Sequence, residues 1–124
     1  MKSQFFNKLL LARFPNLTAK YLHEISWQEG DSTGSHVVYG DVLTPYLVEC
    51  ITSGNIQETE KIFAFLEEIL SLKDEYSENV IACSVIESIT LLLMKRDNFQ
   101  MLLGDSSRTI FEEFKRETRD DSMP

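Results

Sequence analysis

Apolar residues recur at three- and four-residue spacing along almost the whole chain, a rhythm that predicts helices rather than strands. Phe6, Leu9, Leu10 and Phe14 fall on one face of a first helix, with Ser3 placed to cap it. Pro15 suits the first turn of a second helix, which carries Leu17, Tyr21, Leu22 and Ile25 and has Trp27 near its end. Gly30, Asp31, Ser32, Thr33 and Gly34 are turn residues and make 29–35 the clear loop. Val38, Val42, Leu43, Leu47, Val48 and Ile51 return to helical spacing over 37–53. Pro45 interrupts them: either the helix kinks there, or Thr44 caps a new helix with Pro45 in its first position. The segment 36–39 is the one place where a short strand fits.

The second half is more regular. Gly54 suits the left-handed position after a helix, and Asn55 followed by Glu58 resembles a capping box. The next helix, from Ile56 to about Leu72, is expected to bury Ile56, Ile62, Phe63, Leu66, Ile69 and Leu70. Ser77 is placed to cap another, with Val80, Ile81, Ser84, Val85, Ser88, Ile89 and Leu92 along one side. Asp97 opens a short turn through Phe99, Leu102 and Leu103, stopped by Gly104. A last helix over about 106–117 buries Ile110, Phe111 and Phe114. With five Gly, three Pro and no alternating run, the expectation is all-α: a single compact domain of about six or seven antiparallel helices over 1–118, with a frayed tail at 119–124.

Charge changes this picture. Between Glu24 and Glu78 the chain carries twelve carboxylates and two basic residues, Lys61 and Lys73, a balance of −10. The remainder, with ten basic and eight acidic residues, is +2, so the chain as a whole is −8. A one-sign surface steers basic partners in and disfavours nucleic acid and anionic membrane. The basic residues at 95, 96, 108, 115, 116 and 119 are interleaved with acids and make no phosphate-binding footprint. The apolar run 80–94 contains Glu87 and falls short of the ~20 residues that span a bilayer, so it is expected as a core helix. The basic run before Pro15 is too short in its apolar part for a secretory signal, and a cytoplasmic location is expected. Cys50 and Cys83 are expected as buried, reduced thiols.

Candidate chemistry is sparse. His23 and His36 have no second His or Cys at ligand spacing, and Glu-x-x-His is absent, so neither metal nor cofactor is expected. No nucleophile elbow or phosphate-cradling glycine loop occurs. The adjacent pairs Glu67/Glu68 and Asp74/Glu75 are expected as solvated charge, and no enzyme activity follows from them. Glu87, flanked by apolar neighbours, calls for a counter-charge, and Arg108 is the expected partner in a structural ion pair.

Several runs carry a family resemblance: Gly54-Asn55-Ile56, the stretch from Lys61 to Glu67, Asn79-Val80-Ile81 with Ser84 to Glu87, and Leu102-Leu103-Gly104 followed by Ser107-Arg108. Together they resemble an uncharacterised family of small bacterial helical proteins, similar to immunity proteins of toxin systems, including contact-dependent inhibition. Where such relatives often have Gly-Pro in the late turn, this chain has Gly104-Asp105. The resemblance implies a helical protein that binds and neutralises a cognate toxin. The acidic stretch fits a basic nuclease toxin, blocked at its active site after electrostatically steered association. The expected contact residues are Trp27, Glu29, Asp31, Tyr39, Asp41, Glu58, Glu60, Glu67, Glu68, Asp74 and Glu75. The competing expectation is a helical adaptor that docks a partner in a groove between helices. Homo-oligomerisation stays open.

Overall fold

The computed structural model describes residues 1–122, with side chains to Thr118. It has seven helices and, among the described residues, no strand. Helix α1 is Ser3–Arg13. A 3-10 turn at Pro15–Leu17 leads into α2, Thr18–Ser26. Helix α3 runs over 35–52, α4 is Ile56–Ser71, and α5 is Glu75–Met94. The short α6, Asp97–Gln100, precedes α7, Asp105–Ser122. The all-α expectation holds. Of the expected frayed tail, 119–122 continue α7, and 123 and 124 lie outside the described residues.

Two helices widen into π turns, at Tyr39–Leu43 in α3 and Ile81–Ile86 in α5. The first resolves Pro45. The helix neither breaks nor restarts; Thr44 is itself helical, with φ −59° and ψ −47°. A π turn just before the proline widens the helix where its ring would otherwise crowd the preceding turn. The second π turn shifts the buried face of α5 by one position. Val80, Ile81, Val85, Ile86, Ile89, Thr90 and Leu93 point inward, while Ser88 is exposed and Leu92 half-buried. The two π turns pack on each other. Gly40 lies at that contact, where an added Cβ would meet the Ser84 Cβ at an ordinary 3.7 Å. The Thr44 hydroxyl lies 2.7 Å from the carbonyl of Ser84 and 3.1 Å from that of Tyr39, so the crossing leaves a polar group satisfied at its centre.

The core runs through α1, α3, α4 and α5. Phe6 stacks on Tyr39 with ring centroids 4.2 Å apart, and Phe14 meets Phe65 edge-on at 5.7 Å. The hydroxyl of the fully buried Tyr39 donates to the carbonyl of Phe6 at 2.7 Å. Tyr39 is therefore a core residue and not an exposed anchor: helix α3 starts at Ser35, before it, and turns it inward.

Other expectations change in detail. Segment 36–39 is helical, not a strand. Ser3 caps nothing; its Oγ lies 2.7 Å from the Tyr76 hydroxyl. Asp74, not Ser77, caps α5 by accepting from the Ser77 amide at 2.9 Å. Asn55 caps α4 as expected, through the Glu58 amide at 3.1 Å, and Gly54 adopts φ 78°. Ile56 and Leu22, expected inside, are 45% and 55% exposed because both lie at the edge of their helix's buried stripe. Both cysteines are free. Cys50 is buried, but Cys83 is exposed because Val85 and Ile86 take the inward positions of its π turn. Helix α5, at twenty residues, is long and apolar enough to cross a membrane by length and composition, yet it packs on α3, α4 and α7.

Candidate partner-binding surface

The acids that the sequence groups together do different things in space. Glu67, half-buried on α4, reaches the start of α7. Its Oε1 accepts from the Ser106 amide at 2.7 Å, and its Oε2 from the Ser107 amide at 3.2 Å and the Ser107 hydroxyl at 2.8 Å. Burial pushes its pKa up, but these bonds outweigh it and leave the carboxyl below its usual value. An anion at a helix N-terminus also meets the positive end of the helix dipole. Gly104 makes room for it, because a Cβ there would stand 2.5 Å from the Glu67 Cδ.

Asp74 is likewise spent inside the fold. It lies 2.6 Å from the Met1 ammonium and caps α5, and these contacts hold its carboxyl down at about 2. Glu68 pairs with Arg13 at 2.5 Å. Glu58 accepts from the Tyr46 hydroxyl; burial first and then this carboxylate push the phenol up to about 12. These four acids belong to the folded chain's own bonding.

The remaining expected contact residues split into two sets. Trp27 (62% exposed), Glu29 and Asp31 leave from the end of α2 and the turn after it, which pack on α3 and neighbouring turns. Asp41 on α3 stands beside Glu24 of α2. The Asp41 carboxylate, and then burial, raise the Glu24 pKa, and the buried Glu24 Oε1 has no donor among the described residues. Glu60 and Glu75 belong to the other set, on α4 and α5, where packing is on the C-terminal half of α3 and on α7.

This second set borders two adjacent grooves. A shallow one runs along α4 between Glu60, Phe63, Glu67 and Leu102. The other, about 550 Å³, opens between α5 and α7, with Leu70, Ala82 and Ile110 among its lining and Glu75 and Glu78 on the α5 side. Ser106, held by Glu67, lines the second groove and so joins the two. Glu78 is half-buried and, like Glu60 and Glu75, has no basic residue within salt-bridge distance among the described residues. The contact list drawn from sequence omits Glu78 and Glu24. The spacing of Glu78 three residues after Glu75 was the available signal for the first.

The Glu87–Arg108 pair does not form. Glu87 is exposed, since Ile86, Ile89 and Thr90 occupy the inward positions around it. The Arg108 guanidinium instead donates to the carbonyls of Gln100 at 3.0 Å and Leu103 at 3.3 Å, closing the turn between α6 and α7.

A family model spans residues 7–118, which include Glu67, Gly104, Ser107 and Arg108. The chain belongs to DUF7674, a domain of unknown function. No curated protein and no solved structure matches it. In this DUF7674 domain, the residues of the sequence resemblance from Lys61 to Glu67 and from Leu102 to Arg108 meet at the α4–α7 junction, where they position the grooves. No cluster of three or more His, Cys, Asp or Glu suited to a metal occurs among the described residues.

Proposed function

We propose that this chain is a cytoplasmic binding protein of the immunity type, which captures and neutralises a basic protein toxin, a nuclease in the simplest case. One observation carries the reading: three arginines are tied down within the fold, while three acids border adjacent grooves without a partner. Arg96 and Arg108 donate to backbone carbonyls, and Arg13 is paired with Glu68. Glu60, Glu75 and Glu78 border these grooves with no basic residue within salt-bridge distance among the described residues. A nuclease active site is basic because its substrate is polyanionic, and such a surface both attracts and covers it. The test is binding to the product of the adjacent gene, measured by calorimetry at low and high salt. Charge reversal at Glu60, Glu75 and Glu78 together is expected to weaken association by at least about tenfold, with the salt dependence reduced in parallel. Binding unchanged by the triple reversal sinks the reading. Glu67 and Asp74 are unsuitable for this test, because their reversal removes helix caps.

The adaptor reading has its own support in the apolar lining residues Leu70, Ala82 and Ile110 between α5 and α7. It predicts partner affinity insensitive to salt.

A further inference from the structure

The groove between α5 and α7 is bounded by one stripe of residues from each helix. On α5 its lining residues are Glu75, Glu78, Asn79 and Ala82, spaced as one helical stripe; on α7 they are Ser106, Thr109 and Ile110, again one stripe. Two facing stripes that each carry an apolar residue are the receptor half of helix-in-groove recognition. The apolar lining is Ala82 and Ile110, one in each stripe, with the buried Leu70 of α4. The α5 side is acidic: Glu78 is half-buried with no basic residue within salt-bridge distance among the described residues, and Glu75 stands one turn before it. A carboxylate at the wall of a groove with no internal partner is open to pairing with a cation brought by a ligand. Lys73, at one end and at φ 56°, is the single cation of the lining.

We infer that this groove receives a basic amphipathic helix of the partner protein. Its apolar side chains lie against Leu70, Ala82 and Ile110, and a Lys or Arg one turn away lies beside Glu75 and Glu78. The inference rests on the reading of the chain as a binder of basic proteins, and it adds where and in what conformation the partner docks.

The experiment titrates the isotope-labelled full chain with three ligands: a synthetic Leu/Lys amphipathic helix, a scrambled peptide of the same composition, and poly-lysine. Methyl and amide NMR shifts locate each ligand. The amphipathic peptide is expected to shift Leu70, Ala82 and Ile110 selectively and to bind at least about tenfold more tightly than the scrambled one. Thr109→Trp, which fills the groove from an exposed position, is expected to abolish that preference without lowering the melting temperature. Glu75→Gln with Glu78→Gln is expected to weaken the peptide by about tenfold. Selective binding centred elsewhere, such as at Trp27, overturns the groove and leaves the basic-partner reading standing. So does equal, salt-sensitive binding of all three ligands. No binding of any basic ligand overturns both.

Discussion

Two half-buried carboxylates, Glu67 at the α4–α7 junction and Glu24 at the α2–α3 contact, are the same residue type in opposite surroundings. Glu67 receives two amide donors and a hydroxyl, and its pKa falls. Glu24 faces another carboxylate, and its pKa rises. One acid holds two helices together as an anion; the other stands where its charge is disfavoured. The count of acids between Glu24 and Glu78 therefore says little about function until each is sorted by what it touches. Of those left over, Glu29, Asp31 and Glu49 stand exposed elsewhere, and Glu60, Glu75 and Glu78 border the two grooves.

The most severe way to break this contrast is through Gly104. A methyl group there collides with the Glu67 side chain, so Gly104→Ala must either expel the carboxylate from the α7 N-terminus or strain the junction. The expected loss is about 2–3 kcal/mol by urea unfolding. In a Glu67→Ala background the same change should cost under about 1 kcal/mol, because the obstructed group is gone. Equal losses in both backgrounds would place the strain elsewhere.

Glu67→Gln is milder, with an expected loss of about 1–2 kcal/mol at neutral pH. Its pH dependence is specific. The folded pKa is depressed, so the carboxylate contributes stability above the unfolded value of about 4.3 and loses it as pH falls through the folded value. The gap between wild type and variant should therefore close below that range. A gap that persists in acid would mean the cap does not depend on charge.

Glu24→Gln should act in the opposite direction. With a raised folded pKa, the Glu24–Asp41 contact is most favourable below the unfolded carboxyl value, and its contribution is lost as pH rises through the folded one. The amide needs no proton, so the variant should melt higher than wild type on the alkaline side and converge with it in acid. A lower melting temperature at neutral pH would show that the Asp41 carboxylate does not disfavour the Glu24 charge.

The helical stripes were legible in the sequence because burial alternates with the helix period regardless of partner. Phe6, Leu47, Leu66 and Phe111 all lie inside as their spacing requires. The two π turns were not, since a single extra residue in a turn leaves every local propensity unchanged and only moves the stripe, as it does around Cys83 and Ile86. The candidate surface was half legible. Spacing placed Glu60 and Glu75 outward, but nothing local reveals that Glu67 and Asp74 bond across 39 and 73 residues of chain. Tyr39 failed for a related reason: the loop that seemed to expose it ends four residues earlier, at Ser35.

The smallest expected effect is a coupling of nearly zero, and it tests the same distinction between a charge the fold uses and one it merely carries. Glu87 and Arg108 look paired from the sequence because an acid inside an apolar run invites a counter-charge. In space, Glu87 lies in solvent and Arg108 closes a turn through two carbonyls. Arg108→Met should therefore destabilise the chain, with Glu87→Gln close to neutral. The double variant should equal their sum to within about 0.3 kcal/mol. Any larger favourable coupling would restore the ion pair and make Glu87 a structural acid like Glu67. Additivity keeps it among the solvated charges, where its contribution is to net charge and to steering rather than to the fold.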